Sequence, residues 1–375
     1  MRRLLLLSSS IVLADTVLYT ALTPLLPHYA RELGLGKGGA GVLAAAYPAG
    51  AVFGAIPSGI VAARAGVKPT VLVGMTCVAA TMVLFAFGDT AWQLDLARFA
   101  QGLASSFSWT GALAWLVAAA PAGQRGTLIG QAFAAAVAGA LLGPVVGGIA
   151  GVAGIRGTFV VVAVASLALA AWAAVTPAER PEKPQPLSAL RDALRHRDVR
   201  AGIWFVTLPA LLFGTLGVLA PLRLSALGFG AAAIGATWLV AAGLESANSV
   251  LLGRIADRRG PLAPIRAALA ASAVVAALLP WPGNRFVLAA LVVCAGLAFG
   301  AFYTPGMALL THAAEERGLD YGYAFALVNL AWAPGQTAGS AVGGAVAEAT
   351  ADAVPYLALG AVSLLTLAAL WKRSS

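Results

Sequence analysis

The sequence predicts an all-α integral membrane protein with twelve transmembrane helices in two six-helix halves. Three observations carry this. Of the residues, 60% are hydrophobic and only 10% charged, with a mean hydropathy of +0.87; a soluble domain carries about 25% charged residues. The chain is divided into uncharged runs of the length, about 20 apolar residues, that a bilayer-spanning helix needs. It also repeats itself: residues 27–66 laid without gaps on 221–260 match at Pro27/Pro221, Gly34/Gly228, Gly36/Gly230, Gly59/Gly253, Arg64/Arg258 and Gly66/Gly260, among others. A parallel repeat of this kind places substrate sites near mid-membrane, between the halves.

The first span, Leu4–Leu26, carries one carboxylate, Asp15, at its centre. Such a charge costs about 2.5–3.5 kcal/mol to insert and is by default a functional residue. Asp15 shares a helical face with Ser8 and Tyr19. The run continues past position 20 without a small-x-small cleavage pattern, so it reads as a retained span and not a signal peptide. The second span, Gly38–Ala63, ends in the loop "GIVAARAG", and the third is Pro69–Gly88. In the fourth, Phe99–Gln124 with its preceding turn, Asp95, Arg98, Gln101, Gly102 and Ser105 share one face. Arg98 can pair with Asp95 one turn away or take part in coupling, and the sequence leaves both open.

The fifth span, Gly126–Ile155, sets Gly130, Gly139, Gly143, Pro144, Gly147 and Gly148 in the pattern G-x8-G-x3-GP-x2-GG. Gly139, Gly143 and Gly147 recur every fourth residue, a smooth stripe against which another helix backbone can lie. Pro144 removes one helical hydrogen bond and permits a bend. The sixth span is Gly157–Ala178. The polar segment "TPAERPEKPQPLSALRDALRHRDVR" follows, with Leu187, Leu190 and Leu194 on one side of a short amphipathic helix. The expected organisation is therefore an N-terminal bundle over 1–176, a cytoplasmic linker over 177–200 and a C-terminal bundle over 201–375.

In the second half, the seventh span is Ala201–Leu222, and the eighth, Ala232–Leu252, holds a central Glu245 on a face with Trp238, Asn248 and Ser249. The loop after it, "GRIADRRG", contains Asp257 and Arg258. The ninth span is Ala267–Asn284 and the tenth, Phe286–Ala314, contributes Tyr303. The eleventh, Tyr321–Ala347, aligns Asn329, Trp332 and Gln336 and repeats the glycine stripe at Gly335, Gly339 and Gly343; Glu348 at its end reads as solvated. The twelfth is Ala353–Trp371. Tyr303, Asn329, Trp332 and Gln336 line a cavity or form a packed polar seam; the sequence allows either. Cys77 and Cys294, within spans three and ten, read as small core residues.

The net charge of +9 reports topology. Most of the 24 Lys and Arg fall on one side of the predicted spans, at Arg2, Arg3, Arg64, Lys68, Arg125, the linker, Arg254, Arg258, Arg259, Arg266, Arg317, Lys372 and Arg373. The other side has only Arg31, Lys37, Arg156, Arg223 and Arg285. By the positive-inside bias both termini are cytoplasmic, and the basic balance does not call for nucleic acid. The phosphate-loop-like "GLGKGGAG" follows no strand. His28, His196 and His312 are too scattered for a metal or catalytic cluster, and no nucleophile–base pair is visible, so neither an enzyme nor a cofactor is expected.

The loop "GRIADRRG" resembles the signature of the major facilitator superfamily, Gly-x-x-x-Asp-Arg-x-Gly-Arg-Lys; the first copy departs from it with Ala63 in the acid's place. "RFAQG" is similar to the family's Arg-x-x-Gln-Gly motif. The glycine–proline pattern of span five resembles that of proton-coupled exporters. "LADTVLYTALTPLLP", with Asp15 ahead of Pro24 and Pro27, and "QGLASSFS" resemble drug:proton antiporters, vesicular amine transporters in particular. The resemblance implies proton-coupled efflux of lipophilic, cationic or amine-bearing molecules by a monomer in a plasma membrane, and the Ala-, Gly- and Arg-rich composition suggests a bacterial one. Asp15, Arg98 and Glu245 would couple protons, and Asp15, Tyr19, Gln101, Trp238, Glu245, Asn248, Tyr303, Asn329 and Trp332 would bind substrate. Arg64, Gly139, Gly143, Pro144, Gly147, Asp257 and Arg258 would gate and pack. Export of a neutral sugar or metabolite, or a non-transporting sensor on the same fold, are the alternatives.

Overall fold

The computed structural model describes residues 1–121, 125–178, 186–259, 262–319 and 321–371, all helix and connecting turns with no strand among them. The first span is broken: α1 (Arg2–Thr20) gives way to a 3-10 turn over Thr23–Leu25 and a short α2 (Leu26–Glu32). Pro24 and Pro27, which lack N–H groups, fall at the first turns of these two pieces, where no helical bond is lost. Single helices α3 (Lys37–Arg64), α4 (Val67–Ala86), α5 (Ala91–Ala118), α6 (Arg125–Ala153) and α7 (Ile155–Val175) complete six spans. The linker helix α8 (Leu187–Arg195) precedes α9 (Arg197–Ala226), α10 (Ala231–Arg259) and α11 (Leu262–Leu278). The tenth span is again broken, into α12 (Arg285–Gly300) and α13 (Tyr303–Glu315); α14 (Tyr321–Ala349) and α15 (Ala353–Trp371) close the chain.

Among the described residues, eight segments are long and apolar enough to cross a membrane by length and composition. The other spans are α5, α10 and α14, whose polar residues turn inward, and the shorter α11. Large apolar side chains such as Phe53, Val161 and Leu365 lie on the outside of the bundle, as acyl-chain solvent permits. Cys77 and Cys294 are on that outer surface too, not in the core as their apolar surroundings in sequence suggested. A thiol is apolar enough to sit against lipid.

Glycine sets how the helices meet. A Cβ at Gly139, Gly143 or Gly147 of α6 would run into the backbone carbonyl of Leu13, Val17 or Ala21 of α1. In the second half, Gly335 and Gly339 of α14 lie on the carbonyls of Thr207 and Leu211 of α9, and Gly343 on the Thr215 side chain. Leu13, Val17 and Ala21 stand 194 positions before Thr207, Leu211 and Thr215, the displacement of the sequence repeat. The same seam is thus built twice. Between the halves, α3 lies along α14, where Gly41 meets the Ser340 carbonyl, and α6 meets α10, where Gly235 meets the Pro144 carbonyl.

With an even number of spans, the start of α1, the end of α15 and the linker helix α8 share one face of the bundle. There, α8 docks through Leu190 and Ala193 against Val199, Leu310, Ala313 and Leu319. Arg64 is exposed in the last turn of α3. The side chains of Asp257 and Arg258 lie outside the described residues.

Candidate functional site

A cavity of about 240 Å³ opens between the halves. The first half contributes Tyr19 and Thr20 at the end of α1, Arg98 of α5 and Pro144 of α6. The second contributes Trp238 and Glu245 of α10, Tyr303 of α13, and Trp332 and Gln336 of α14. Tyr19 meets Trp332 edge-on across the divide, with ring centroids 5.1 Å apart. Six of the residues predicted for coupling or binding are thereby brought to one cavity: Tyr19, Arg98, Trp238, Glu245, Tyr303 and Trp332.

Glu245 makes no hydrogen bond or ion pair with any described residue. Its carboxylate lies over Gly300, where a Cβ would collide with it. Gly300 ends α12 at the break in the tenth span, so the missing side chain opens room for the acid. Charges within membranes are ordinarily paired or face a cavity, and Glu245 lines the cavity.

Asp15 is placed differently. It is 5% exposed and does not line the cavity. Ser105 Oγ donates to its Oδ2 at 2.5 Å, Tyr47 Oη lies 3.2 Å from the same oxygen, and Ser108 Oγ is 3.3 Å from Oδ1. Tyr47 Oη also donates to Ser105 Oγ at 2.6 Å, which makes a chain of hydroxyls from Tyr47 through Ser105 to the acid. The Tyr47 ring lies 5.0 Å from that of Tyr19. One aromatic layer therefore separates Asp15 from the cavity. Tyr47 is absent from the residues the sequence singles out; the only hint is a lone phenol in the Gly- and Ala-rich second span.

Arg98 does not pair with Asp95. Its guanidinium donates to the carbonyls of Leu18 at 3.2 Å and Tyr19 at 3.3 Å and to Gln101 Oε1 at 2.8 Å, with Cζ 4.9 Å from the Tyr47 ring centroid. These carbonyls sit where α1 breaks, and a cation there complements the exposed helix end. The break in another helix outcompetes the neighbour one turn away. Asp95 Oδ1 is buried with no partner among the described residues.

Gln101 is buried beside Arg98 and does not reach the cavity. Asn248 lies one turn beyond Glu245, also off the lining. Asn329 is off it too, its buried Nδ2 unpartnered among the described residues. Gly139, Gly143 and Gly147 form the α6–α1 seam, and Pro144 does double service as cavity wall and contact to α10. Among the described residues no group of His, Cys, Asp or Glu could hold a metal ion.

A family model described as Major Facilitator Superfamily matches residues 7–335. An uncharacterized MFS-type transporter of Schizosaccharomyces pombe, C18.02, is 30% identical over 141 residues, 36% of this chain. The match spans about a third of that relative's length, 32%. The fold is similar to that of the xylose transporter XylE from E. coli, solved in a partially occluded inward open conformation. The TM-score is 0.76 at 14% identity, over 99% of this chain and 97% of that one. It is also similar to the nucleoside transporter NupG, with a TM-score of 0.75 at 15% identity over 98% and 99%.

Proposed function

The chain belongs to the Major Facilitator Superfamily of membrane transporters, and on that premise we propose that it exports lipophilic, amine-bearing small molecules in exchange for protons. The observation that carries this is the carboxylate of Glu245, unpartnered among the described residues, in a cavity walled by Tyr19, Trp238, Tyr303 and Trp332. A carboxylate supplies the counter-charge for an ammonium, and an aromatic face adds about 0.5–2 kcal/mol of cation–π attraction. Apolar wall between those rings suits the rest of a lipophilic cargo.

Asp15, one layer behind Tyr19 and Tyr47, serves in this reading as the proton site. Cargo at Glu245 presses on Tyr19, Tyr19 on Tyr47, and Tyr47 on the hydroxyl chain that holds Asp15. Arg98 keeps the Leu18 and Tyr19 carbonyls in place and so shapes the wall. One proton exchanged for one ammonium moves no net charge, so the driving force is the pH difference: one unit supplies about 1.4 kcal/mol, enough for about a tenfold cargo gradient. Rocking of a bundle over 1–176 against one over 201–375, joined by the 177–200 linker, would expose the cavity to each side in turn. In this reading the membrane is a bacterial plasma membrane, both termini are cytoplasmic, which the positive-inside bias supports, and the monomer is the working unit.

Export of a neutral hydroxylated solute is the second reading, favoured by Gln336 and Tyr303 on the cavity wall. One experiment separates them. Binding of a panel of lipophilic amines and of uncharged sugars to purified protein is followed together with proton release, in the unaltered chain, Glu245→Gln and Asp15→Asn. The expected result is amine binding weakened at least about tenfold in Glu245→Gln. Asp15→Asn is expected to keep that binding and lose proton release. Amine affinity unchanged in Glu245→Gln overturns the reading, and sugar binding that survives it supports the second.

A further inference from the structure

We propose that a charged latch on the face opposite the termini holds the two halves together there and is the contact that must break for the cavity to open to that side. Its centre is Asp352, in the turn between α14 and α15 and 13% exposed as a side chain. Lys37, the first residue of α3, reaches across from the first half to Asp352 Oδ1 at 2.5 Å. Arg223 of α9 lies 3.6 Å from Oδ2 on the same half as Asp352, and donates to the Pro282 carbonyl at 3.1 Å. The acid is thus braced from within its own half and bonded to the other.

Glu348 makes a second crossing. The end of α14 runs over the start of α3, where Gly36 is the N-cap, and the Gly38 N–H donates to Glu348 Oε2 at 2.5 Å. The first N–H groups of a helix have no partner within it, and a carboxylate beside them is favoured by the helix dipole. Here the second half supplies the cap for a helix of the first. The lack of side chains at Gly36 and Gly38 is what admits Glu348. Arg31 of α2 adds a third crossing, donating to Ser225 Oγ of α9 at 2.8 Å.

Opening this face separates α3 from α14, exposes the α3 amides and leaves Asp352 with Arg223 alone. The latch therefore weights the equilibrium toward the closed opposite face whatever the cargo is, and the test needs no substrate. Val152, 80% exposed at the end of α6, and Gly283, in open space between α11 and α12, are replaced by Cys in a chain with Cys77→Ala and Cys294→Ala. Both carry nitroxide labels for pulsed dipolar distance measurement. The unaltered latch is expected to give chiefly one short distance. Lys37→Met, Asp352→Asn and Glu348→Gln, each alone, are expected to raise a second, longer population about tenfold. Raising salt to about 0.5 M in the unmutated latch is expected to move it the same way, since Lys37, the exposed member of the pair, is screened. Distributions that stay the same in all three variants and in salt overturn the latch, as does an unaltered chain already dominated by the long distance.

Discussion

Asp15 and Glu245 are both single acids at the centre of a span, yet their surroundings differ. Three hydroxyls surround Asp15, while Glu245 has open cavity in front of it. Arg98 ties down the carbonyls of Leu18 and Tyr19. Arg98→Met is expected to orphan both and to cost about 1–3 kcal/mol for each carbonyl that water cannot reach, read as a lowered thermal unfolding midpoint in detergent. Arg98→Lys should recover only part of the loss, because a point charge cannot bridge two acceptors and Gln101 as the planar fork does. Asp15, Glu245 and Arg98 stood out in the sequence because charge is rare within spans. Their partners did not. Arg98 seemed to belong with Asp95 because three residues along a helix is the one distance a sequence displays, and the break in α1 lies some eighty residues away.

Among the elements, the glycine seams make the sharpest expectation. Gly143→Ala would drive a methyl into the Val17 carbonyl and Thr20, and Gly339→Ala into the Leu211 carbonyl. Neither backbone can step aside without moving a whole helix, so each should cost about 1–3 kcal/mol. Gly130 belongs to the same sequence pattern but has nothing within 4 Å. Gly130→Ala should be neutral or stabilising by about 0.5–1 kcal/mol, since glycine weakens a helix interior; thermal unfolding of the three variants side by side is the check. The fourfold spacing of the stripes was plain in the sequence, and so was a close approach. What they lie against was not, because a carbonyl belongs to every residue and leaves no mark on sequence. The breaks at Ala21–Leu22 and Ala301–Phe302 differ in the same respect. Prolines announce the first. Only Gly300, one glycine among many, stands near the second.

For the whole molecule, the twelve spans could be read directly, since burial in lipid leaves its record in composition. Which side of a helix meets lipid and which meets protein could not, because both are apolar. Cys77 and Cys294 show the difficulty, and they also supply a test. In liposomes a lipid-soluble photoactivated carbene reagent should label both, since insertion needs no thiolate, while cysteines in a protein core would stay unlabelled; mass spectrometry of the peptides that carry them reads the outcome. The contacts at the face opposite the termini were hidden for another reason. Lys37, Glu348 and Asp352 each look like ordinary loop charges, and only the fold brings residues more than three hundred positions apart together.

The duplicated seam has a mechanical consequence. Where α6 lies on α1, and α14 on α9, glycines sit against carbonyls of the facing segment, and only short side chains such as Thr20 and Thr215 enter the seam. A packed side chain absorbs strain by changing rotamer; a carbonyl against a glycine has no such slack. Each pair of helices therefore behaves as a stiff beam, and a push delivered at the cavity travels along it with little loss. Compliance is left to the two broken spans, whose turns lie beside Tyr19 and Glu245. The protein is soft where cargo would press and rigid where the stroke is carried.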